Sequence, residues 1–121
     1  MTTAAETGAR GEKAALDYLL SNGFTIRDRN WRHGHYELDI VAQKADTVHF
    51  VEVKCRRAGG LTTPEDAITY AKFSALKKAA RAYIERYRLD SEIQFDLIAV
   101  EYSRDGSTAL RYVPQAMQCS W

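Results

Sequence analysis

The chain has 121 residues, 45% hydrophobic and 27% charged, with two prolines and seven glycines. These values exclude a disordered, repetitive or collagen-like chain and suffice for one unstapled core. Formal net charge is +1, yet Lys54 to Arg88 holds nine Lys or Arg against three acids, a net of +6, leaving −5 elsewhere. A near-neutral total hides a basic middle, the footprint expected of a surface that meets phosphates.

The opening MTTAAETGAR lacks the basic-then-apolar order of a signal peptide, and no apolar run approaches bilayer length. A cytoplasmic location without a membrane partner is expected. Cys55 and Cys119 form neither a disulfide framework nor a metal knuckle; they read as a small core residue and a tail thiol in a reducing compartment.

In chain order, Glu12 to Asn22 carries Ala15, Leu16, Leu19 and Leu20 at helical spacing and stops at Asn22-Gly23, so a first helix is predicted, beginning after Thr7. Phe24 to Trp31 follows as a half-alternating strand, and Arg32 to His35 as a turn. Tyr36 to Gln43 and Val48 to Arg56 are the clearest strands. A loop, Arg57 to Thr63, leads to Pro64-Glu65-Asp66, whose proline and acids suit a helical first turn. Tyr70 to Arg88 is a long amphipathic helix with Phe73, Leu76, Ala80, Tyr83, Ile84 and Tyr87 on one face and Lys77, Lys78, Arg81 and Arg88 on another. Ile93 to Glu101 is an apolar strand, Arg104 to Ser107 a turn, and Thr108 to Val113 a last strand. Residues 1–7 and 114–121 are expected as flexible tails of a single domain spanning 1–121.

This order, αβββαβ plus one strand, predicts an α/β fold with one mixed central sheet flanked by helices. The crossover through the long helix predicts a parallel, right-handed connection between the strands at Val48 and Ile93.

The stretch YELDIVAQKADTVHFVEVKCRR places four charges inside two strands. Strict alternation puts Glu37, Asp39 and Val41 on one face and Tyr36, Leu38, Ile40 and Ala42 on the other; Val48, Phe50, Glu52, Lys54 and Arg56 share a face of the next strand. A four-residue loop, Lys44 to Thr47, built on a type I turn would set Gln43 against Val48, Val41 against Phe50, Asp39 against Glu52 and Glu37 against Lys54. Two acids with Cβ atoms about 5 Å apart repel unless a cation compensates. Oxygen ligands from Asp39 and Glu52, completed by water and a carbonyl such as that of Val53, suit Mg²⁺ or Mn²⁺ rather than zinc. Lys54, about 7 Å from Glu52 on the same side, can hold an attacking water or offset phosphoryl charge. The competing reading is a solvated sheet face with Glu37 and Lys54 as an ion pair.

Glu12 falls on or beside the apolar stripe of the first helix, where it can point at the sheet, or simply favour the helix dipole. Arg56, Arg57, Lys72, Lys77, Lys78 and Arg81 are candidate phosphate contacts, with a solvated helix face as the alternative for each. His33 and His35 lack a third ligand and read as turn residues; His49 reads as a packed neutral histidine. Trp31 reads as core, with base stacking as its alternative. Asp96, inside an apolar strand, is either a structural acceptor or a site residue.

GARGEKAALDYLLSNGF, RNWR, YELDIVAQ, HFVEVKCR, AKFSALKKAARAYI and QFDLIAV run in the order of the YraN-like family of uncharacterised bacterial proteins, which the chain resembles from Gly8 to Val100. That family is regarded as predicted endonucleases similar to archaeal Holliday-junction resolvases, within the PD-(D/E)XK restriction-endonuclease-like superfamily. The resemblance implies Asp39 as the motif aspartate, Glu52 and Lys54 as the E-x-K pair, Glu12 as the helix-one carboxylate and Glu37 as an auxiliary acid. This chain has Tyr36 where the family usually has glycine, and Gln94 where it often has arginine.

The resemblance thus implies a Mg²⁺- or Mn²⁺-dependent endonuclease acting on DNA, branched or structured, with a symmetric dimer as a further expectation. A nucleic-acid-binding protein that keeps the fold without turnover is the alternative. A small module whose basic helix binds an acidic protein is a third.

Overall fold

A computed structural model describes residues 4–59, 66 and 68–117. Its elements are α1 (Ala4–Ser21), β1 (Thr25–His33), β2 (Tyr36–Lys44), β3 (Thr47–Arg57), α2 (Tyr70–Tyr87), β4 (Glu92–Tyr102) and β5 (Thr108–Met117). The five strands form one sheet in sequence order, antiparallel except for β3 and β4, which run parallel. The α/β class, the mixed sheet and the parallel crossover are those the sequence predicts. The loop and short helical turn expected before α2 lie largely outside the described residues, as does Cys119.

The helices pack on opposite faces of the sheet, because alternate strand residues join different layers. Val41, Val48, Phe50 and Phe95 pack with Leu76, Ala79, Ala80 and Tyr83 of α2. Ile40, Ala42, Val51, Ile98 and Val100 pack with Ala15, Leu16 and Leu19 of α1. α1 lies close on the sheet at Gly11, where an added Cβ would overlap the Cys55 sulfur. Glycine costs a helix interior about 1 kcal/mol against alanine, so the close approach is what keeps it there.

Both helices end in Schellman motifs. At α1, the Phe24 amide donates to the Leu19 carbonyl and Gly23 to Leu20, with Gly23 at φ 86°. At α2 the same two bonds run from Leu89 to Ile84 and from Arg88 to Glu85, with Arg88 at φ 50°. An L-residue with a side chain is strained there by about 1 kcal/mol. Arg88→Gly is therefore expected to raise the urea midpoint by an amount equal to about 1 kcal/mol, and a lowered midpoint would show that the Arg88 side chain matters more than its backbone.

Several boundaries differ from those expected. α1 begins at Ala4 rather than after Thr7, since Ala4, Ala5 and Glu6 are good helix formers and Gly8 does not interrupt them. The β2–β3 loop is two residues, Ala45-Asp46, not four: Lys44 pairs with Thr47, and Ala45 takes a positive φ of 53°. The register is nevertheless the expected one, Gln43 against Val48 and Val41 against Phe50. Residues 114–117 are strand rather than tail: Met117 is buried, and the Gln115 amide donates to Asp96 Oδ1 at 2.9 Å.

Strict alternation along β2 fails at Asp39. Leu38 joins the α2 layer while Ile40 joins the α1 layer, and in β1 Trp31 packs on Tyr83 of α2 while Arg29 reaches Glu12 of α1. Both strands thus turn over at facing positions, Asn30 and Asp39, flanked by the pairs Arg29–Ile40 and Trp31–Leu38. Asn30 absorbs the turn with φ 50°, a conformation asparagine tolerates better than most residues. Glu37, Asp39 and Val41 consequently do not share a face. A bulge between Ile26 and Asp28 also brings both Arg27 and Asp28 to the Tyr83 hydroxyl, at 3.1 and 2.7 Å, which explains the half-alternating pattern of β1.

Candidate active site

β2 and β3 stop pairing after Ile40–Val51. Beyond that point the Asp39 side chain replaces the backbone: the Val53 amide donates to Asp39 Oδ2 at 2.9 Å. The expected opposition of Glu37 and Lys54 is not made. The strands have separated there, and Glu37 instead lies 3.5 Å from Arg32 of β1, its register partner.

Glu52, two residues after Phe50, points to the α2 side and is buried. Its Oε1 lies 2.8 Å from the Lys72 ammonium. Lys72 is placed there by the start of α2: the Thr69 hydroxyl accepts the Lys72 amide at 3.1 Å as the helix N-cap. Lys54 neighbours Lys72, so four ionisable side chains, Asp39, Glu52, Lys54 and Lys72, form one group at the carboxyl end of β3.

Electrostatics reflects this crowding. Asp39 is pushed up to about 7, first by burial and then by the Glu52 charge, against the lowering effect of the Val53 amide. Lys54 is lowered, chiefly by the neighbouring Lys72 amine and then by burial. Burial alone would lower Lys72, but its bond with Glu52, the neighbouring Lys54 amine and the nearby carboxylates hold it above the usual lysine value.

Glu12 stands apart from this group. Its Oε1 accepts from Asn30 Nδ2 at 2.9 Å and lies 3.7 Å from Arg29 Nε. Glu12 and Asp39 nonetheless flank a common neighbour, the Cys55 thiol, which burial pushes up and both carboxylates push further. Among the described residues no three His, Cys, Asp or Glu side chains converge as a ready ligand set. A pair of carboxylates with open coordination is what Mg²⁺ accepts, since it keeps several waters, whereas zinc would want a closed cage. The elevated proton affinity of Asp39 marks the place a cation would neutralise, so the donors present fit a hard divalent ion.

The remaining basic candidates have partial partners. Arg56 Nε lies 3.7 Å from Glu101, the Lys77 ammonium lies over Phe73 and that of Lys78 over Tyr36, while Arg57 and Arg81 are exposed. His33 stacks on Trp31 with 7° between ring planes, and His35 sits against Tyr36. His49 packs edge-on against Phe24 and meets Asp96 at 2.7 Å. Asp96 is fully buried and also accepts from Tyr112, Gln94 and the Gln115 amide. It is the structural acceptor, not a site residue.

Two residues that shape the site escaped the sequence reading. Thr69, immediately before a periodic helical run, carried an N-cap signal. Asn30, which holds Glu12, carried none, because its role depends on a strand turning over.

The family model described as "Uncharacterised protein family UPF0102" matches residues 11–100, a span from the residue before Glu12 into β4 that contains Asp39, Glu52, Lys54 and Lys72. A UPF0102 protein of Bacteroides thetaiotaomicron is 40% identical over 111 residues, covering 92% of this chain and 91% of the relative. One from Nitratidesulfovibrio vulgaris is 43% identical over 111 residues, covering 91% and 82%. One from Oleidesulfovibrio alaskensis is 47% identical over 94 residues, covering 77% of this chain and 46% of the relative. By this family match and by relatives at least 40% identical over most of its length, the chain belongs to UPF0102, the YraN-like family.

Proposed function

We propose that this protein is a metal-dependent endonuclease that hydrolyses phosphodiester bonds in DNA, with branched or structured DNA as the substrate class. The observation that carries the reading is the close pair of half-buried Asp39 and buried Glu52 beside Lys54, on the strand that leads into the most basic part of the chain.

Hydrolysis needs an attacking water, neutralised charge at phosphorus and a stabilised leaving oxygen. Asp39 and Glu52 would hold Mg²⁺ or Mn²⁺, with the Val53 backbone beside them, and the ion supplies Lewis acidity when bound. Lys54 would orient the attacking water or donate a hydrogen bond to a phosphoryl oxygen; the new P–O bond would form as the old one breaks, the attacking water releasing a proton to solvent and the leaving oxygen taking one from solvent. Glu12, held by Asn30, is placed to orient water or a second ion from the α1 side. Arg57, Lys77, Lys78 and Arg81 would position the phosphate backbone without reading sequence. A homodimer would present two such sites to two strands.

A second reading, nucleic-acid binding without turnover, is favoured by one observation: Lys72 already occupies Glu52, as a cation would. One experiment separates them. Labelled duplex, flap, single-stranded and four-way-junction DNA are incubated with wild type or Glu52→Gln in Mg²⁺, Mn²⁺ or EDTA. Cutting that requires metal and falls at least about a thousandfold in the variant is expected. Salt-sensitive binding with no cutting establishes the second reading, and equal cutting by both proteins removes Glu52 from the site.

A further inference from the structure

Of the two lysine–carboxylate pairs among the described residues, the one between Lys72 and Glu52 is the more withdrawn from water. Its side chains are only 29% and 10% exposed, against 76% and 61% for Lys13 and Asp17. A pair withdrawn from water interacts more strongly than one in bulk solvent, and here the geometry is short at 2.8 Å. The placement is also specific: Thr69 caps α2 through the Lys72 amide, fixing the root of the side chain one short reach from β3. Without a cation, Asp39 and Glu52 would face each other as like charges. Lys72 supplies that cation from within the chain through its 2.8 Å contact with Glu52.

An ammonium and a divalent ion cannot share one carboxylate oxygen without strong repulsion, since both approach it to within about 3 Å. We infer that Lys72 is the resident counter-ion of the acidic pair, which must leave Glu52 for a divalent cation to bind and is then free to meet a phosphate of the bound DNA. The inference rests on the nuclease reading and gives Lys72 a positioning role in it. Metal loading and phosphate binding become linked through one side chain: tied to Glu52 it opposes the ion, and released it adds a positive charge next to the substrate. Such coupling is reciprocal, so bound DNA would in turn tighten the ion's hold.

The test is Mn²⁺ binding, followed by electron paramagnetic resonance of the free ion, with full-length wild type, Lys72→Met, Lys72→Gln, Lys72→Arg and Asp39→Asn. Lys72→Met and Lys72→Gln are expected to bind Mn²⁺ about tenfold more tightly than wild type, because the competing charge is gone. In Ca²⁺, used to hold junction DNA without cutting, the same two variants are expected to bind DNA several-fold more weakly, and Lys72→Arg is expected to behave as wild type in both assays. A purely structural lysine would leave Mn²⁺ affinity unchanged or lower it on removal, and either result in the folded Met or Gln variant overturns the inference. Lys72→Gln keeps a hydrogen bond to Glu52, so it serves if Lys72→Met does not fold. Asp39→Asn separates the two levels: Mn²⁺ binding that persists unchanged in it overturns the metal site itself, whereas its loss there without tightening in the Lys72 variants overturns only the counter-ion role. No Mn²⁺ binding by any variant overturns both.

Discussion

Asp39→Asn is expected to make the metal-free protein more stable at pH 8 while abolishing metal-dependent cleavage. The Asp39 carboxyl is raised from 3.8 to about 7, first by burial and second by the Glu52 charge. A folded-state value above the unfolded one means the folded chain binds the extra proton between about pH 4 and 7, so stability falls as pH rises through that window and the full penalty holds above it. At about 1.4 kcal/mol per tenfold change in proton affinity this is about 4 kcal/mol, and on the order of half of that is expected because Asp39 keeps some contact with water. Asparagine removes the charge yet can still accept the Val53 amide through its oxygen. The gain in EDTA at pH 8 should then be roughly 2 kcal/mol, several degrees in Tm, and should vanish at pH 4. Mg²⁺ should stabilise wild type and not the variant, since only a protein that binds the ion when folded gains from it. Glu52→Gln should show no comparable gain, because it gives up the Lys72 ion pair. An Asp39→Asn protein less stable than wild type in EDTA at pH 8 would mean that the acid is a structural element of the strand rather than a functional compromise.

The second large effect is expected on the other face of the sheet from Glu52, at Asp96. Its carboxylate is wholly buried and accepts from His49 and Tyr112 at 2.7 Å and from Gln94 and the Gln115 amide at 2.9 Å. Burial alone would raise its pKa, but these four bonds hold it below the usual carboxylate value. Asp96→Ala leaves four partners buried without an acceptor, a loss of roughly 3–5 kcal/mol. The damage should be directional, because Asp96 is what binds the end of β5 back to β4 across the bulge between Phe95 and Leu97. Amide exchange should accelerate at Gln115 and Met117 well before it does in β2 or β3. Wild type should lose the Asp96 contribution only in acid, as pH falls through a value below 3.8. A loss under 1 kcal/mol, with Gln115 still protected, would mean that Met117 packing rather than Asp96 holds the strand. In either case cleavage per folded molecule should be unchanged, which distinguishes Asp96 from Asp39.

The sequence by itself determined the element order, the β2–β3 register near the turn and the acidic pair Asp39 and Glu52. Each of these depends on local periodicity or on short-range pairing: Ala15, Leu16 and Leu19 at helical spacing, alternation from Val41 to Ala42 against Val48 to Val51, and the acids Asp39 and Glu52 near one hairpin. The two-residue loop replaced the expected four-residue one without shifting the register, because both keep Gln43 against Val48.

Only the tertiary structure decided what happens where regular pairing ends. The strands turn over at Asn30 and Asp39, so Glu37 meets Arg32 instead of Lys54, and Glu12 is taken by Asn30 and Arg29 rather than by the acidic pair. Backbone twist and packing between two helical layers set those contacts, and neither leaves a period in the sequence. The same holds for Lys72 and Asp96. One reads as a surface cation and becomes the partner of a buried glutamate across the α2 crossover; the other reads as an anomaly in an apolar strand and becomes the acceptor that joins three strands. Long-range partners of single charges are fixed by where the fold brings distant segments together, and that information resides in the whole core.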